Sequence, residues 1–413
     1  MIRVGWWGRA ALMLVTMACA PLDALAQPNV GAGPLTSTLP EEEPPTGGIR
    51  IGRVLVAPGL VIREIGWDSN VYDEPTDPKE DYVAAVVPDV SAFSRLRFMK
   101  LSGYAGVDLQ YYKTYEPERN IGHQVRGRAD FLLSRVRPFV GGGQTHLRTR
   151  PNGEIDTRAD RELNELSGGL AFEISPTSDI YGATYSLETV YEDSFEDGVE
   201  LATTLNRTTY DYTFGLRTEL TPLTALTLSG GYLEDVFDNS PQRNAETFTG
   251  NATLRFNTDA VISGFITVGY RDLQPVDPLI RDFRGFTYSA GIYYPFLEIG
   301  RLAFTAVRGT EYSFDTQEAY YLENSFTISY THFLFDEIDA QVRGGNSFYN
   351  YGYTVGSVER RDKYDVFGAG VGYNLPNRTR ISVNYEYSRR FSAELPDRNY
   401  ERRRAYLAWS IAF

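Results

Sequence analysis

Histidine is the first residue type to consider, because imidazole is the commonest metal ligand and the commonest general base in proteins. The chain has three histidines, His123, His146 and His332. No second His or Cys lies near any of them in the sequence at the spacing of metal ligands. We therefore interpret all three as isolated structural residues and expect no metal site.

The acidic segments are the second candidate for ligand chemistry. Asp193, Asp197 and Gly198 share features with a calcium-binding loop. Phe195, however, occupies a position that needs an oxygen ligand, and Thr204 stands where such a loop has its bidentate Glu. On these two positions we reject a calcium loop.

Two acidic clusters remain, at residues 73–77 and residues 192–197. In surface loops such carboxylates can bind Ca²⁺ or Mg²⁺ loosely, for example between lipopolysaccharide molecules. Ordinary solvation accounts for the same residues, and it is the interpretation that we adopt.

The motifs of the main hydrolytic and nucleotide-binding chemistries are missing. The sequence contains no G-x-S-x-G, no H-E-x-x-H and no phosphate-binding loop. Only His123 lies beside a segment that we predict as an outer loop, residues 116–120. We therefore predict that the protein is not an enzyme and uses no cofactor.

The N-terminal segment has the organisation of a secretory signal peptide. Arg3 and Arg9 supply positive charge, residues 10–18 form a short apolar core, and cleavage is expected after Ala26. Lipidation of Cys19 is the alternative, although the residues before it form a poor lipobox. Residues 1–26 are therefore predicted as a signal peptide, and cleavage there removes the only Cys of the chain.

Residues 27–53 are rich in Pro, Gly, Thr and Glu without periodicity, which predicts a flexible periplasmic arm. From residue 54 to residue 413 a different pattern continues without interruption. Apolar and polar residues alternate, as in residues 380–387 (RISVNYEY), where the odd positions are apolar and the even ones polar. A period of two is typical of β-strands with one apolar and one polar face.

The breaks between these alternating segments have two lengths. Short breaks, such as residues 176–178 and 222–224, alternate strictly with long ones, such as residues 150–160 and 193–205. Outer-membrane barrels combine short periplasmic turns with longer outer loops in this way. Residues 54–413 are therefore predicted to form an all-β, antiparallel, up-and-down transmembrane β-barrel of about eighteen strands, with sixteen as the alternative.

The last segment, residues 406–413 (YLAWSIAF), alternates up to a terminal aromatic residue. It resembles the terminal strand by which the outer-membrane assembly machinery recognises its substrates. We therefore expect a protein of the bacterial outer membrane. Its expected partners are outer-membrane lipid, lipopolysaccharide and this assembly machinery.

Two short stretches carry a resemblance to a known family. Residues 66–72 (GWDSNVY), followed by an acidic loop and residues 81–82 (DY), resemble the opening hairpin of the BBP2-type β-barrel porins. The end is also similar, with residues 384–390 (NYEYSRR), a loop, Tyr400 and residues 402–404 before the terminal strand. The resemblance covers the whole predicted barrel. It implies an outer-membrane barrel and, for some members, action with exopolysaccharide export, and no catalytic residue carries over.

The alternation also predicts which residues line the lumen. Arg or Lys on the lipid face costs roughly 2–4 kcal/mol at mid-depth, so the polar member of each alternating pair should face inward. The rule selects one amide and charged side chains of both signs: Asp108, Gln110, Arg126, Arg128, Asp130, Asp211, Arg217, Glu219, Arg271, Asp339, Arg343, Glu386 and Arg404.

Rows of Arg opposite Asp or Glu either set a transverse field across a constriction or pair with each other and brace the wall. The sequence favours neither of these arrangements. A lumen of eighteen strands is too wide for wall side chains to fill, so water or an inserted loop must occupy it. The two longest loops, residues 150–160 and 193–205, are the candidates for insertion.

A polar lumen is most consistent with a channel or porin that passes small hydrophilic solutes or glycans. Two alternatives stay open. One is a barrel that works in exopolysaccharide export with periplasmic partner proteins, and the other is a structural or adhesive barrel with an occluded lumen. Nucleic acid is not an expected partner, because the net charge is -14 and nucleic-acid binding needs a basic surface.

Overall fold

The computed structural model describes residue 45 and residues 47–257, 260–296, 299–335, 337–375 and 379–412. The predicted signal peptide and most of the predicted arm lie outside these ranges. Within them, no helix has the length and the apolar character needed to cross a membrane.

Eighteen long β-strands account for most of the described residues. In chain order they are Val54–Asp68, Asp81–Arg95, Met99–Tyr112, Asn120–Phe131, Val136–Thr149, Ala159–Ser175, Ser178–Glu192, Arg207–Thr221, Thr224–Phe237, Ala245–Phe256, Ser263–Pro275, Phe283–Phe296, Gly300–Tyr312, Tyr320–Phe333, Ile338–Asn350, Arg361–Leu375, Thr379–Ser392 and Tyr400–Ala412.

The strands close into a barrel. Each strand pairs antiparallel with the next along the chain, and the last strand pairs with the first, from Gly59 opposite Ala412 to Asp68 opposite Arg404. A closed sheet has no free edge, so its backbone N–H and C=O groups are satisfied within the wall, as a lipid environment requires. The predicted eighteen-stranded barrel is confirmed, and the sixteen-stranded alternative is wrong.

Alternation along each strand separates the two faces of the wall. In the eighth strand, Phe214 is 70% exposed and Tyr212 is 43% exposed. Asp211, which precedes Tyr212 and points to the other face, is only 3% exposed. Exposed aromatic and aliphatic side chains on one face suit contact with lipid, and the polar face is turned inward. The same contrast recurs in the seventeenth strand, where Val383 is 62% exposed and Glu386 is 4% exposed.

The connections follow the predicted asymmetry, with short turns at one end and longer loops at the other. The longer loops contain the described short elements, namely the one-turn 3₁₀ helices Glu116–Glu118, Pro241–Arg243 and Pro396–Arg398, the strands Phe195–Glu196 and Val199–Glu200, and the helix Leu201–Leu205. At the other end, Ile49–Ile51 pairs antiparallel with the start of the first strand. The strand Ile49–Ile51 lies within the segment predicted as a flexible arm.

A β-bulge interrupts the first strand between Ile62 and Ile65. A bulge inserts an extra residue into one strand and can re-aim side chains. Here Arg63 bonds Asp108 at 2.6 Å and Glu64 bonds Arg404 at 3.2 Å, so two consecutive residues both reach the lumen. Strict alternation would have placed one of them in lipid.

Candidate functional site

Residues 150–158, here called the crossing loop, connect the fifth and sixth strands and fold into the mouth of the barrel. Glu154 and Ile155 have no exposed surface. The bend begins at Asn152, whose side-chain oxygen accepts the backbone N–H groups of Glu154 at 2.9 Å and Ile155 at 3.0 Å. Asn side chains commonly stabilise turns by bonding the backbone two residues onward. A local turn therefore directs the loop inward.

The tip of the crossing loop reaches the far wall. Gly153 lies so close to Tyr349 that a Cβ built on it would collide with the tyrosine hydroxyl, so any larger residue would force the buried tyrosine ring to move. Tyr349 belongs to the fifteenth strand, nine strands beyond the sixth in a ring of eighteen. The loop therefore spans the full width of the mouth.

Arg390 is the main anchor of the loop on the far wall. Its Nη1 lies 3.0 Å from the backbone oxygen of Glu154 and 3.1 Å from Asp156 Oδ2, and its Nη2 donates to Asp362 Oδ2 at 3.0 Å. The side chains of Arg390 and Asp362 are fully buried. Buried charges are tolerated only where they are paired and hydrogen-bonded, and both terminal nitrogens of this guanidinium meet these conditions.

A second loop, residues 193–206, here called the covering loop, lies against the crossing loop. The Glu196 carboxylate accepts the backbone N–H groups of Asp156 at 3.0 Å and Thr157 at 2.8 Å. Arg398 also donates to Glu196 Oε1 at 3.0 Å. A buried apolar cluster joins both loops, the adjoining strands and the loop that follows the thirteenth strand, which supplies Phe314. Its members are Ile155, Ala159, Tyr191, Leu201, Leu205 and Phe314.

Both ends of the crossing loop are tied to the first outer loop, which follows the first strand. Arg150 and Arg158 each donate to the backbone oxygen of Val71 at 2.9 Å. Arg150 also forms an ion pair with Asp73 at 2.8 Å. The crossing loop is thus held at both ends as well as at its tip.

The interpretation of the acidic loop clusters as solvated is wrong at two positions. Asp73 is 5% exposed and Glu196 is 4% exposed. Both carboxylates contact the crossing loop and pair with arginines that are distant in the sequence. Sequence spacing does not show this, because the partners lie on other loops and on the opposite wall.

Part of the barrel wall carries a chain of ion pairs, here called the wall ladder. Glu386 bonds Arg343 on one side and Arg404 on the other, and Arg404 Nη1 donates to Glu64 Oε2 at 3.2 Å. Asp339 accepts Arg380 Nη2 at 2.7 Å on the same wall. Here the predicted lumen charges brace the wall.

The remaining predicted lumen residues are placed differently. Arg128 pairs with Asp130 at 2.7 Å, and Asp108 pairs with Arg63. Arg126 lies over the ring of Tyr104 at 5.4 Å. Six of the predicted residues form no ion pair within the described ranges, and their role in a pore stays a prediction: Gln110, Arg126, Asp211, Arg217, Glu219 and Arg271.

A cavity, here called the side cavity, remains beside the crossing loop. It encloses about 440 Å³, counting the part open to solvent. Asn152 of the crossing loop forms one edge, and the wall supplies Arg161, Arg207, Glu311 and Tyr312. Charges of both signs therefore line the space that the two loops leave open.

Comparison with known proteins agrees with this architecture. The sequence profile of the family described as "Putative beta-barrel porin 2" matches residues 44–413. The chain belongs to this family. It is a porin-like β-barrel of the bacterial outer membrane, as the resemblance of its first and last hairpins predicted.

Solved porins share the fold of this porin. Pseudomonas aeruginosa OpdK with vanillate has a TM-score of 0.50 and 11% identity, over 87% of this chain and 99% of that chain. A BenF-like porin from Pseudomonas fluorescens Pf-5 has a TM-score of 0.50 and 10% identity over the same shares. At such identities the likeness shows the fold alone. No curated protein matches the chain.

The prediction that the histidines are isolated is wrong for two of them. His123 stands directly opposite His146 on the neighbouring strand, and their rings stack with centroids 5.7 Å apart. His146 Nε2 lies 3.2 Å from Asp160 Oδ1. Cross-strand pairing joins residues that are distant in sequence. The described part of the chain nevertheless holds no group of three or more His, Cys, Asp or Glu arranged for a metal ion.

Sequence reasoning missed the residues that hold the mouth together. The alternation could have identified Arg390, because this residue continues the even-numbered polar face that carries Glu386. It could not have identified Arg398 and Glu154, because they lie in loops, where alternation does not predict which way a side chain points. The length of residues 150–160 was the only signal for the crossing loop.

Docking of the crossing loop is expected to depend on pH. Burial raises the pKa of Asp156 above its ordinary value of 3.8, and Arg390 and Arg398 offset only part of the effect. Burial likewise raises the pKa of Glu154 above 4.5. These carboxyl groups therefore hold their protons to a higher pH in the docked loop than in a released loop. Docking strengthens as the pH falls and these groups become protonated, and it weakens as the pH rises.

We expect fluctuations of the single-channel current to increase as the pH rises and Asp156 and Glu154 lose their protons. The Asp156→Asn variant should lose part of this dependence, because residue 156 then has no proton to release. A current that becomes noisier as the pH falls would contradict the assignment.

Proposed function

We propose that this porin is a passive channel for small hydrophilic solutes, with a passage that runs past the side cavity. The crossing loop carries this proposal. It spans the mouth, is fastened to the far wall by Arg390 and leaves open a space lined by charges of both signs. A loop that narrows a wide polar lumen limits passage to small molecules.

Single-channel recording of the purified protein in planar bilayers tests the proposal. Stable current steps in KCl are expected, and sugars larger than a disaccharide should pass proteoliposomes far more slowly than glycerol. The matching control is the same preparation unfolded by boiling, which should give no steps. If the folded barrel gives no current, the channel is ruled out.

The second candidate is a structural barrel with an occluded lumen. The observation in its favour is the number of fixed contacts at the mouth, which extend from Val71 through the crossing loop to Asp362. It predicts a folded barrel without current, so the same recording separates the two candidates.

A further inference from the structure

The side cavity holds an acidic side chain, Glu311, and a basic side chain, Arg207, that do not pair with each other. Glu311 is 8% exposed, its Oε1 has no hydrogen-bond partner, and it forms no ion pair within the described residues. Leaving a buried carboxylate without a partner is costly. The group is therefore poised to accept a donor from a molecule that enters the cavity.

Arg207 supplies the complementary charge. Its Nη1 donates to the backbone oxygen of Leu205 at 3.2 Å, but its Nε has no partner. The guanidinium lies over the ring of Tyr312 at 5.1 Å and is held there between strands. It is thus fixed in position, with donors left for a carboxylate, which guanidinium groups bind well.

The wider surroundings are balanced in charge. The groups that line the cavity or lie within electrostatic range of Glu311 comprise three basic and three acidic side chains. They are Arg161, Arg207, Arg271, Asp235, Glu311 and Glu323. A solute of single charge would meet like charges on one side, which disfavours it. A molecule with one group of each sign would meet a complementary partner on both sides.

We propose that the side cavity is a binding subsite for small zwitterions that have one ammonium and one carboxylate, as an α-amino acid does. The ammonium group binds Glu311 and the carboxylate binds Arg207. Leu163 and Leu187 offer apolar surface to a small side chain. The inference deepens the proposed function and rests on it where it concerns transport.

The test compares solutes of similar size in proteoliposomes that contain the full barrel. L-alanine carries both charges, lactate lacks the ammonium, isopropylamine lacks the carboxylate and glycerol lacks both. In the wild type, L-alanine should enter several-fold faster than the other three, and its rate should saturate. Glu311→Gln and Arg207→Gln should bring the L-alanine rate to that of glycerol.

The outward, exposed Glu401 provides a matched control. Glu401→Gln should keep the preference for L-alanine. Heat-modifiable migration on gels verifies that each variant is folded, and two separate variants guard against the failure of one. A wild-type barrel that passes all four solutes at similar rates would overturn the subsite, as would a preference that survives both inner substitutions.

Calorimetry on the detergent-solubilised protein separates the subsite from the channel. Heat of L-alanine binding that disappears in Glu311→Gln supports the subsite even if no solute crosses the membrane. In that case only the proposed channel fails. If solutes cross without selectivity and L-alanine gives no heat of binding, the proposed subsite is wrong and the proposed channel is supported.

Discussion

Replacing Arg390 by Ala is expected to release the crossing loop and to raise the single-channel conductance. The substitution removes the cation that Asp156 and Asp362 share. Within the described residues, Asp156 then keeps only Arg398, at 3.5 Å, and the buried Asp362 keeps only Arg360, at 3.4 Å. Removing one partner of a buried ion pair costs about 3–5 kcal/mol, which is enough to shift a loop held by a few such contacts. The loop should also become accessible to protease between residues 150 and 158.

Arg389 offers a matched control one residue away. Its side chain is half exposed and pairs with Asp365 on the outer face of the wall. Arg389→Ala should therefore leave conductance and cleavage unchanged, because exposed ion pairs contribute little. If Arg390→Ala behaves like Arg389→Ala in both assays, another contact must hold the loop.

Replacing Phe214 by Arg is expected to destabilise the barrel by about 2–4 kcal/mol, because the new charge would point into lipid near mid-depth. Phe214 is 70% exposed on the lipid side of the eighth strand. Urea unfolding in lipid vesicles measures the loss, and the folded band on unboiled gels should weaken.

Thr213→Arg places the same side chain on the neighbouring residue. Thr213 points inward and donates to Asp211 at 2.7 Å, so an arginine there would gain a partner in an aqueous lumen. This variant should fold as the wild type does. Equal stability of the Phe214 and Thr213 variants would show that the two faces of this strand are assigned wrongly.

The barrel was predictable because its physics is local. Alternation at residues such as Tyr212, Thr213 and Phe214 follows from the pleat of a single strand, and turn lengths follow from the chain itself. Eighteen strands could therefore be counted without knowledge of any contact. The bulge at Arg63 was not predicted, because one extra residue leaves the overall alternation almost unchanged.

The mouth was not predictable, because its contacts are not local. Glu154 and Arg390 carry no periodic pattern that relates them, and their meeting depends on how far a loop reaches across a closed ring. His123 and His146 illustrate the same limit within the wall, since strand register decided their pairing. The alternation along the strands predicted which charged residues line the lumen, but their partners followed only from the fold.

The closing seam of the barrel constrains the order of assembly. Asp68 bonds Arg402 across 334 residues of chain, and Arg390 meets Glu154 across 236. Contacts of such sequence separation must overcome a large loss of chain entropy before they stabilise anything, which makes them slow to form. The wall that carries Arg390 also does not lie opposite the crossing loop until the sheet has closed into a barrel. The entrance of the channel is therefore completed only after the cylinder itself, and its docked loop marks a molecule that has finished folding.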